Sequence, residues 1–380
     1  MKIGILTLPL NVNYGGILQA YALQTFLRNN GHEAEHIELS RTVYINDSIR
    51  NRIVKYPVRL LKKIFINHKI TIRSEYKTNK IIRYTQKYTR PFIDQNLKIH
   101  YVDSYTDIKE SDYDVFIVGS DQVWRPDYIE NIENVFLDFT SNWKVKRIAY
   151  AVSFGKDTLS FTENQKLRKA DEKCMNLAKN FDSISVREES GVNICKAIYG
   201  RNAVCVLDPT LLLRREDYNL LINKIEPDNQ SRLMTYVLDE SPIINQLIKE
   251  AGNVLNLEPI NTNKSNVHNE SVPLKERIQP PLENWLCGFR DCEAIITDSF
   301  HACVFSIIYN KPFVVVGNKQ RGLSRFENLL SILGLEERIV DENVDVNLMC
   351  QLLAKEPNVI DKLNVLKEQS IKFLHSSLNM

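Results

Sequence analysis

The chain has 380 residues, of which 43% are hydrophobic and 25% charged, so it can bury a complete core and is long enough for two domains. Its formal net charge of +2 gives no general reason to expect nucleic acid as a partner, and its seven cysteines contain no CxxC pair that would indicate a zinc site. The odd number of cysteines does not indicate a disulfide framework either, so a reducing cytoplasm is the predicted location. No stretch approaches the ~18 consecutive apolar residues of a membrane span.

Apolar, β-branched runs along the chain predict parallel strands that are covered on both faces. Segments with helical periodicity separate these runs, which is typical of an α/β fold. Between the first run and His36, residues 15–31 carry one apolar helical face and end at Asn30-Gly31, which is a helix stop signal. The predicted strands are KIGILTL, DVFIVG, RIAYAVS, SISV, AVCVLD, LMTYVLD, AIIT and PFVVV.

A short polar cluster follows most of these runs. In open α/β sheets, ligands bind beyond the carboxyl ends of the strands, so the clusters together predict one shared cleft. Solvated turns are the alternative interpretation of any single cluster. The clusters are residues 11–16, 119–124, 153–155, 187–190, 208–210, 298–301 and 317–322.

The polar, proline-containing segment 225–231 predicts a boundary between two Rossmann-like, doubly wound domains. We expect an N-terminal domain over residues 1–228, with a basic helical insertion at 49–93, and a C-terminal domain over residues 229–355. Apolar residues at helical spacing in 356–380 predict a terminal helix that packs on the body. The ligand cleft is expected between the two domains.

The C-terminal half contains a stretch without acidic residues, from Ser299 to Phe326. His301 is expected to begin a helix directly after a strand, where free backbone N–H groups and the helix dipole favour anions. The stretch therefore predicts a multiply negative ligand, and the lack of a carboxylate for a ribose diol argues against a nucleotide sugar. A structural histidine and solvated arginines are the alternatives. The basic residues of the stretch are His301, Lys311, Lys319, Arg321 and Arg325.

Two aspartates and two glycines have structural interpretations. Asp208 and Asp298 each follow a strand and are predicted to cap a turn or the next helix. Gly15 and Gly16 are predicted to allow close approach of the backbone after the first strand.

The chain contains, in this order, NYGGILQAYALQ, VGSDQVW, SVREES, LDPTLLL, ITDSFHACVFSIIYNKPFVVV and RGLSRF. This combination resembles the polysaccharide pyruvyl transferase family from Ile3 to about Ile339. The resemblance implies a fold like that of the B-type glycosyltransferases, with phosphoenolpyruvate bound in the interdomain cleft. It also implies transfer of pyruvate to two hydroxyls of one sugar in a capsular, exo- or cell-surface polysaccharide precursor, with release of phosphate. A 4,6-ketal of galactose is the expected product, and no metal or cofactor is required.

The resemblance implies roles for individual residues. His301 is expected to act as general acid or phosphate partner, and Asp121 as base toward the sugar hydroxyl. Arg187 and Arg321 match the anion-binding positions of the family.

One position departs from the family, because Ser299 stands where better-studied members carry an arginine. We expect Arg325 or Lys319 to replace that arginine, with Phe300 also on the phosphoenolpyruvate side of the cleft. The residues predicted to bind the acceptor are Asn13, Tyr14, Gly15, Ser120, Gln122, Trp124, Ser153 and Phe154.

The insertion at 49–93 carries thirteen Lys or Arg against one acid, Glu75. Its apolar residues fall at helical spacing among the lysines, which is typical of helices that bind an anionic membrane surface. Such contact, at the inner face of the plasma membrane, would bring the enzyme to the lipid-diphosphate-linked acceptors that the family often uses. An ordinary solvated helical pair on the first domain is the equal alternative.

Two further functions remain open from the sequence. One is a nucleotide-sugar-dependent glycosyltransferase of the same fold, against which the acid-free stretch counts. The other is a non-catalytic glycan-binding protein derived from this fold, which only the departure at Ser299 favours.

Overall fold

Two parallel sheets organise the chain in a computed structural model. It describes residues 1–45, 49–65, 71–129, 131–155, 165–263, 267, 269, 271–317 and 323–379, with the backbone alone at 49–52 and 165–171. The sheets belong to an N-terminal and a C-terminal α/β domain, and the change from one sheet to the other falls between Cys205 and Arg232.

The first sheet has seven strands, all paired in parallel, in the spatial order β3-β2-β1-β4-β5-β6-β7. Its central strands are apolar on both faces, as expected where helices cover both sides of a sheet. The strands are β1 (Lys2–Leu6), β2 (Glu33–Leu39), β3 (Ile99–Val102), β4 (Val115–Val118), β5 (Lys146–Val152), β6 (Ser183–Val186) and β7 (Val204–Cys205).

The second sheet has five parallel strands in the order β12-β11-β10-β8-β9. This architecture confirms the α/β fold class, and all eight predicted runs are strands in it. The strands are β8 (Arg232–Tyr236), β9 (Glu258–Asn261), β10 (Ala294–Thr297), β11 (Phe313–Val316) and β12 (Ile339–Val340).

Helices connect the strands and cover the sheets. Within the ranges given above, no helix is long and apolar enough to cross a membrane. The helices are α1 (Tyr14–Asn29), α2 (Ile49–Phe65), α3 (Ser74–Thr85), α4 (Thr89–Asn96), α5 (Gln165–Ala178), α6 (Glu189–Ala197), α7 (Arg215–Asn219), α8 (Pro242–Leu255), α9 (Leu282–Asp291), α10 (Phe300–Ile308), α11 (Ser324–Leu333), α12 (Val346–Leu353) and α13 (Ile360–Leu378).

The terminal helix α13 returns to the N-terminal domain. The hydroxyl of its Ser370 accepts a hydrogen bond from the backbone N–H of Leu207 at 3.0 Å, and Phe373 packs against Tyr150. Elsewhere, the rings of Tyr14 and Trp285 lie 5.8 Å apart and join α1 to α9. Contacts at α13 and between α1 and α9 thus hold the two domains together.

A buried histidine in β2 makes the stability of this fold depend on pH. Burial lowers the pKa of His36 from 6.5 to about 4, and its Nε2 lies 3.0 Å from the carbonyl of Ala20. The unfolded chain takes up this proton below about pH 6.5 and the folded chain only near pH 4, so acid favours unfolding across that window. We expect the free energy of unfolding to fall by about 3 kcal/mol across it from this residue.

Urea unfolding of the wild type and of His36→Gln, measured between pH 7 and pH 4, checks this expectation. The glutamine can still donate to the carbonyl of Ala20 but does not titrate. The stability advantage of the wild type should therefore shrink as the pH falls, and parallel curves would contradict the assignment.

Candidate functional site

A cleft of about 650 Å³ opens between the two domains. The N-terminal domain lines it with the segments that follow β1 and β4, and the C-terminal domain lines it with the segments that follow β8, β9 and β10 and with α11. The carboxyl ends of the parallel strands therefore face this space, as in other open α/β sheets. The polar side chains along it are Asn11, Asn13, Asp121, Gln122, Tyr128, Tyr236, Asn263, Gln279, Asp298, Ser299, His301 and Arg325.

A buried cluster of charges lies at the floor of the cleft. The guanidinium of Arg187 donates from Nη1 to Asp208 Oδ2 at 2.5 Å and from Nη2 to Asp121 Oδ1 at 3.2 Å. All three side chains are at most 5% exposed. A buried cation with two carboxylates is stable only when the geometry satisfies each of them, so Arg187 holds both aspartates in place.

Asp208 has a second contact that connects it to the C-terminal domain. Its Oδ2 also lies 3.6 Å from Nε2 of His301, and its Oδ1 accepts from the backbone N–H of Thr210 at 3.0 Å. Burial alone would raise the pKa of Asp208, but the adjacent His301 and Arg187 outweigh it and lower that pKa. The predicted turn-capping role of Asp208 is therefore only one of its two roles, and its other oxygen is placed to counter a positive charge on His301.

Asp121 reaches the cleft from a constrained backbone. Its φ of +67° lies in the left-handed region, which residues other than glycine occupy at a cost of about 1–3 kcal/mol. Burial would raise the pKa of its carboxyl, but Arg187, His301 and Arg325 together lower it. Asp121 is thus an ionised carboxylate that lines the cleft.

The N-termini of α1 and α10 meet across the cleft. Asn13 caps α1 by accepting from the backbone N–H of Gly16 at 3.2 Å, and His301 lies in the first turn of α10. A Cβ added to Gly15 would stand 2.2 Å from Nδ1 of His301, so only glycine leaves room for the imidazole. Two helix dipoles therefore direct their positive ends to one region, which favours an anion there.

Arg325 is a second buried cation in the wall of the cleft. Its guanidinium lies 5.5 Å from the ring centre of Phe300, and the guanidinium of Arg187 lies 4.5 Å from the same ring. Burial, followed by repulsion from Arg187, lowers the pKa of Arg325 to about 10. Among the described residues, no carboxylate forms an ion pair with Arg325.

A family model for polysaccharide pyruvyl transferases matches residues 13–320, a span that includes Asp121, Arg187, Asp208 and His301. The chain belongs to the polysaccharide pyruvyl transferase family. No curated protein matches it.

Three solved structures show what this pyruvyl transferase family member is similar to in fold. UDP-GlcNAc 2-epimerase from Neisseria meningitidis bound to UDP-GlcNAc has a TM-score of 0.51 and 11% identity, over 99% of this chain and 100% of its own. UDP-GlcNAc 2-epimerase from Methanocaldococcus jannaschii has a TM-score of 0.49 and 12% identity, over 99% of this chain and 100% of its own. Arabidopsis thaliana UGT89C1 complexed with UDP-L-rhamnose has a TM-score of 0.49 and 7% identity, over 98% of this chain and 94% of its own. At 11% identity, the likeness to the Neisseria epimerase shows the fold alone, and two parallel α/β domains around a cleft are the fold that the sequence predicted.

The structure brings together most of the residues predicted on the donor side. Ser299, Phe300, His301 and Arg325 line the cleft beside Asp121. Arg187 lies behind them, with both terminal nitrogens bonded to carboxylates, so it supports the site of this family member instead of facing the cleft. Lys319 and Arg321 lie outside the described residues.

The predicted acceptor residues divide into two groups. Asn13 and Gln122 line the cleft, whereas Gly15 lies under His301. The others are buried: for example, Trp124 stacks on Phe136 at 4.6 Å in the core behind β4. The remaining buried members of the group are Tyr14, Ser120, Ser153 and Phe154.

Some of these buried residues position the charged cluster. Ser120 Oγ lies 3.3 Å from Asp208 Oδ2, and Ser153 Oγ donates to Glu188 Oε1 at 2.9 Å. Burial raises the pKa of Glu188, which the sequence analysis did not single out although it directly follows Arg187. Tyr128, Gln279 and the other cleft residues outside the polar clusters carried no motif that could have identified them.

Proposed function

We propose that the protein transfers pyruvate from phosphoenolpyruvate to two hydroxyls of one sugar in a polysaccharide precursor, forming a cyclic ketal and releasing phosphate. The observation that carries this proposal is Arg325, a buried guanidinium in the cleft wall without a carboxylate partner among the described residues. A buried charge without a partner is costly, and an anionic ligand would supply one. Phosphoenolpyruvate offers both a phosphate and a carboxylate.

The charged groups fit the steps of the reaction. Carbon 2 of an enol phosphate becomes electrophilic when carbon 3 takes a proton, and His301 in its protonated form would donate that proton. A sugar hydroxyl then adds to carbon 2 while the ionised Asp121 accepts a hydrogen bond from it and stabilises the developing positive charge. The bond from carbon 2 to the phosphate oxygen breaks, and addition of the second hydroxyl closes the ketal. The two sugar hydroxyls release two protons: one returns to His301 in place of the proton given to carbon 3, and the other leaves with phosphate.

The sugar is expected to enter from the N-terminal side of the cleft. Asn11, Asn13 and Gln122 offer amide groups there, and Tyr128 offers an aromatic ring with a hydroxyl. Such groups hydrogen-bond sugar hydroxyls and pack on the apolar face of a sugar ring. This position would bring the two acceptor hydroxyls to the carboxylate of Asp121.

A nucleotide-sugar donor fits the cleft less well. The carboxylate that the C-terminal domain contributes to the described lining is Asp298. Its Oδ1 accepts from the backbone N–H of Leu238 at 2.7 Å, and its Oδ2 accepts from that of Asp239 at 2.9 Å. Both oxygens of Asp298 therefore stabilise the fold, as its predicted capping role requires, and are poorly placed to bind a ribose diol.

Phosphate release from phosphoenolpyruvate by the purified protein tests the proposal. The protein should release phosphate only with an accepting sugar from a panel of β-galactosides, and the product should gain the mass of one pyruvate less one water. Binding of UDP-sugars without binding of phosphoenolpyruvate would favour the glycosyltransferase alternative.

Two matched variants locate the donor site. Arg325→Met should weaken phosphoenolpyruvate binding about tenfold or more, because it removes charge-assisted hydrogen bonds. Lys311→Met should leave binding unchanged, since Lys311 lies in the same acid-free stretch but donates to the carbonyl of Cys292 at 2.6 Å. Equal effects of the two substitutions on binding would contradict the role of Arg325.

A further inference from the structure

Helix α2 presents an apolar face to solvent. Six apolar residues on one side of it are between 49% and 78% exposed, and Phe65 is the most exposed of them. At about 100° per residue, Lys62 borders this face on one side, whereas Lys63 lies close to Arg59 on the other side of the helix. The six residues, called the α2 face below, are Ile53, Val54, Val58, Leu61, Ile64 and Phe65.

The opposite side of α2 fixes its orientation. Arg59 donates from Nη2 to Glu75 Oε1 at 2.8 Å, and Lys55 Nζ lies 3.6 Å from the same oxygen. Glu75 belongs to α3 and is 5% exposed, so the basic side of α2 faces the protein and the α2 face points away from it. The apolar residues are thus not placed to join the core.

The charge around the α2 face is almost entirely positive. Glu75, the single acid among residues 49–93, already pairs with Arg59. Helix α3 and the turn after it expose a further stripe of basic and aromatic residues, in which Lys87 Nζ lies 4.8 Å from the ring centre of Tyr88. Tyrosines and lysines of this kind are typical of membrane–water interfaces. The exposed members of the stripe are Tyr76, Lys77, Lys80, Arg83, Tyr84 and Lys87.

We propose that α2 docks on the surface of an anionic phospholipid bilayer, with the α2 face in the interface and Lys62 at the headgroups. An apolar helix face bordered by lysines gains free energy from burial among acyl chains and from attraction to anionic lipids. A second copy of this chain would carry the same excess of positive charge on its own α2 and α3, so self-association through this surface is disfavoured. The proposal is independent of the donor in the cleft.

Flotation with phospholipid vesicles tests the proposal on the full chain. The protein should float with vesicles of phosphatidylcholine and phosphatidylglycerol, should not float with phosphatidylcholine alone, and should bind less as salt is raised. The double variant Ile64→Ser with Phe65→Ser should lower binding about tenfold or more, because it removes two apolar side chains from the interface. Lys62→Glu should also lower it, because the substitution places a negative charge at the headgroups.

A matched control removes the same amount of exposed apolar surface elsewhere. Leu220 and Ile360 are 66% and 63% exposed and lie outside α2, so Leu220→Ser with Ile360→Ser should leave vesicle binding unchanged. Absence of flotation at physiological salt, or equal loss in the control, would overturn the proposal. Sedimentation of the free protein provides a further check: a dimer that the Ile64→Ser, Phe65→Ser variant dissociates would mean that a second copy covers the α2 face.

Discussion

Replacement of Asp208 by asparagine should lower turnover with phosphoenolpyruvate about 100-fold or more. Asp208 Oδ2 lies 3.6 Å from His301 Nε2 and accepts from Arg187, so the carboxylate faces both groups at the floor of the cleft. Asparagine removes the negative charge that these groups face, and an imidazole that loses this contact is a misplaced general acid. Phosphate release by Asp208→Asn and by the wild type, measured side by side, checks this expectation.

Asp121→Asn is the matched comparison. It also removes one carboxylate from Arg187, so the two variants should lose a similar part of their stability in urea unfolding. Asp121→Asn leaves the contact between Asp208 and His301 intact, however, so turnover should differ between the two variants although their stability does not. Wild-type turnover in Asp208→Asn would show that Asp208 does not act through His301.

The fold could be predicted because most of its strands have a recognisable pattern of apolar residues in their own sequence. Short apolar runs identify every interior strand of both sheets except β2, in which charged residues alternate with apolar ones. The edge strands β3, β9 and β12 were not predicted either. β12 has only two residues, and β3 and β9 carry half-exposed or exposed residues, such as Tyr101 and Glu258, so they lack an apolar pattern. At an edge of the sheet, hydrogen bonds to one neighbouring strand define a strand more than its side chains do.

The site was predictable to a lesser extent. Polar residues directly after strands identified Asp121 and His301, because parallel strands deliver their carboxyl ends to one side of a sheet. The same rule also selected Trp124 and Phe154, which are fully buried, since a position after a strand does not say whether a side chain turns to the cleft or to the core.

Contacts between residues far apart in the chain could not be predicted, for a different reason. The central role of Asp208 depends on an oxygen that faces Arg187 and His301, residues 21 and 93 positions away. Spacing along the chain carries no information on such a contact. The same holds for Gly15. The sequence predicted a close approach at this glycine, but only the structure identifies His301 as the residue that approaches it.

Gly15→Ala is expected to separate the role of His301 from the stability of the fold. Gly15 lies in the first turn of α1, where alanine normally favours the helix by up to about 1 kcal/mol over glycine. The added Cβ would stand 2.2 Å from Nδ1 and 2.6 Å from Cβ of His301, so the imidazole must leave its place beside Asp208. We expect turnover to fall about 100-fold or more, since a misplaced general acid loses most of its contribution.

The adjacent glycine supplies the control for this experiment. A Cβ on Gly16 would meet its nearest neighbour, the Asn13 side chain, at 3.5 Å, which is ordinary van der Waals contact. Gly16→Ala in the same helical turn should therefore keep most of its turnover. If Gly15→Ala and Gly16→Ala had equal turnover at equal thermal stability, close packing of His301 on α1 would not matter to the chemistry. A loss of turnover in Gly15→Ala alone would instead show that the reaction needs His301 in its close contact with α1, because the two variants differ in little else.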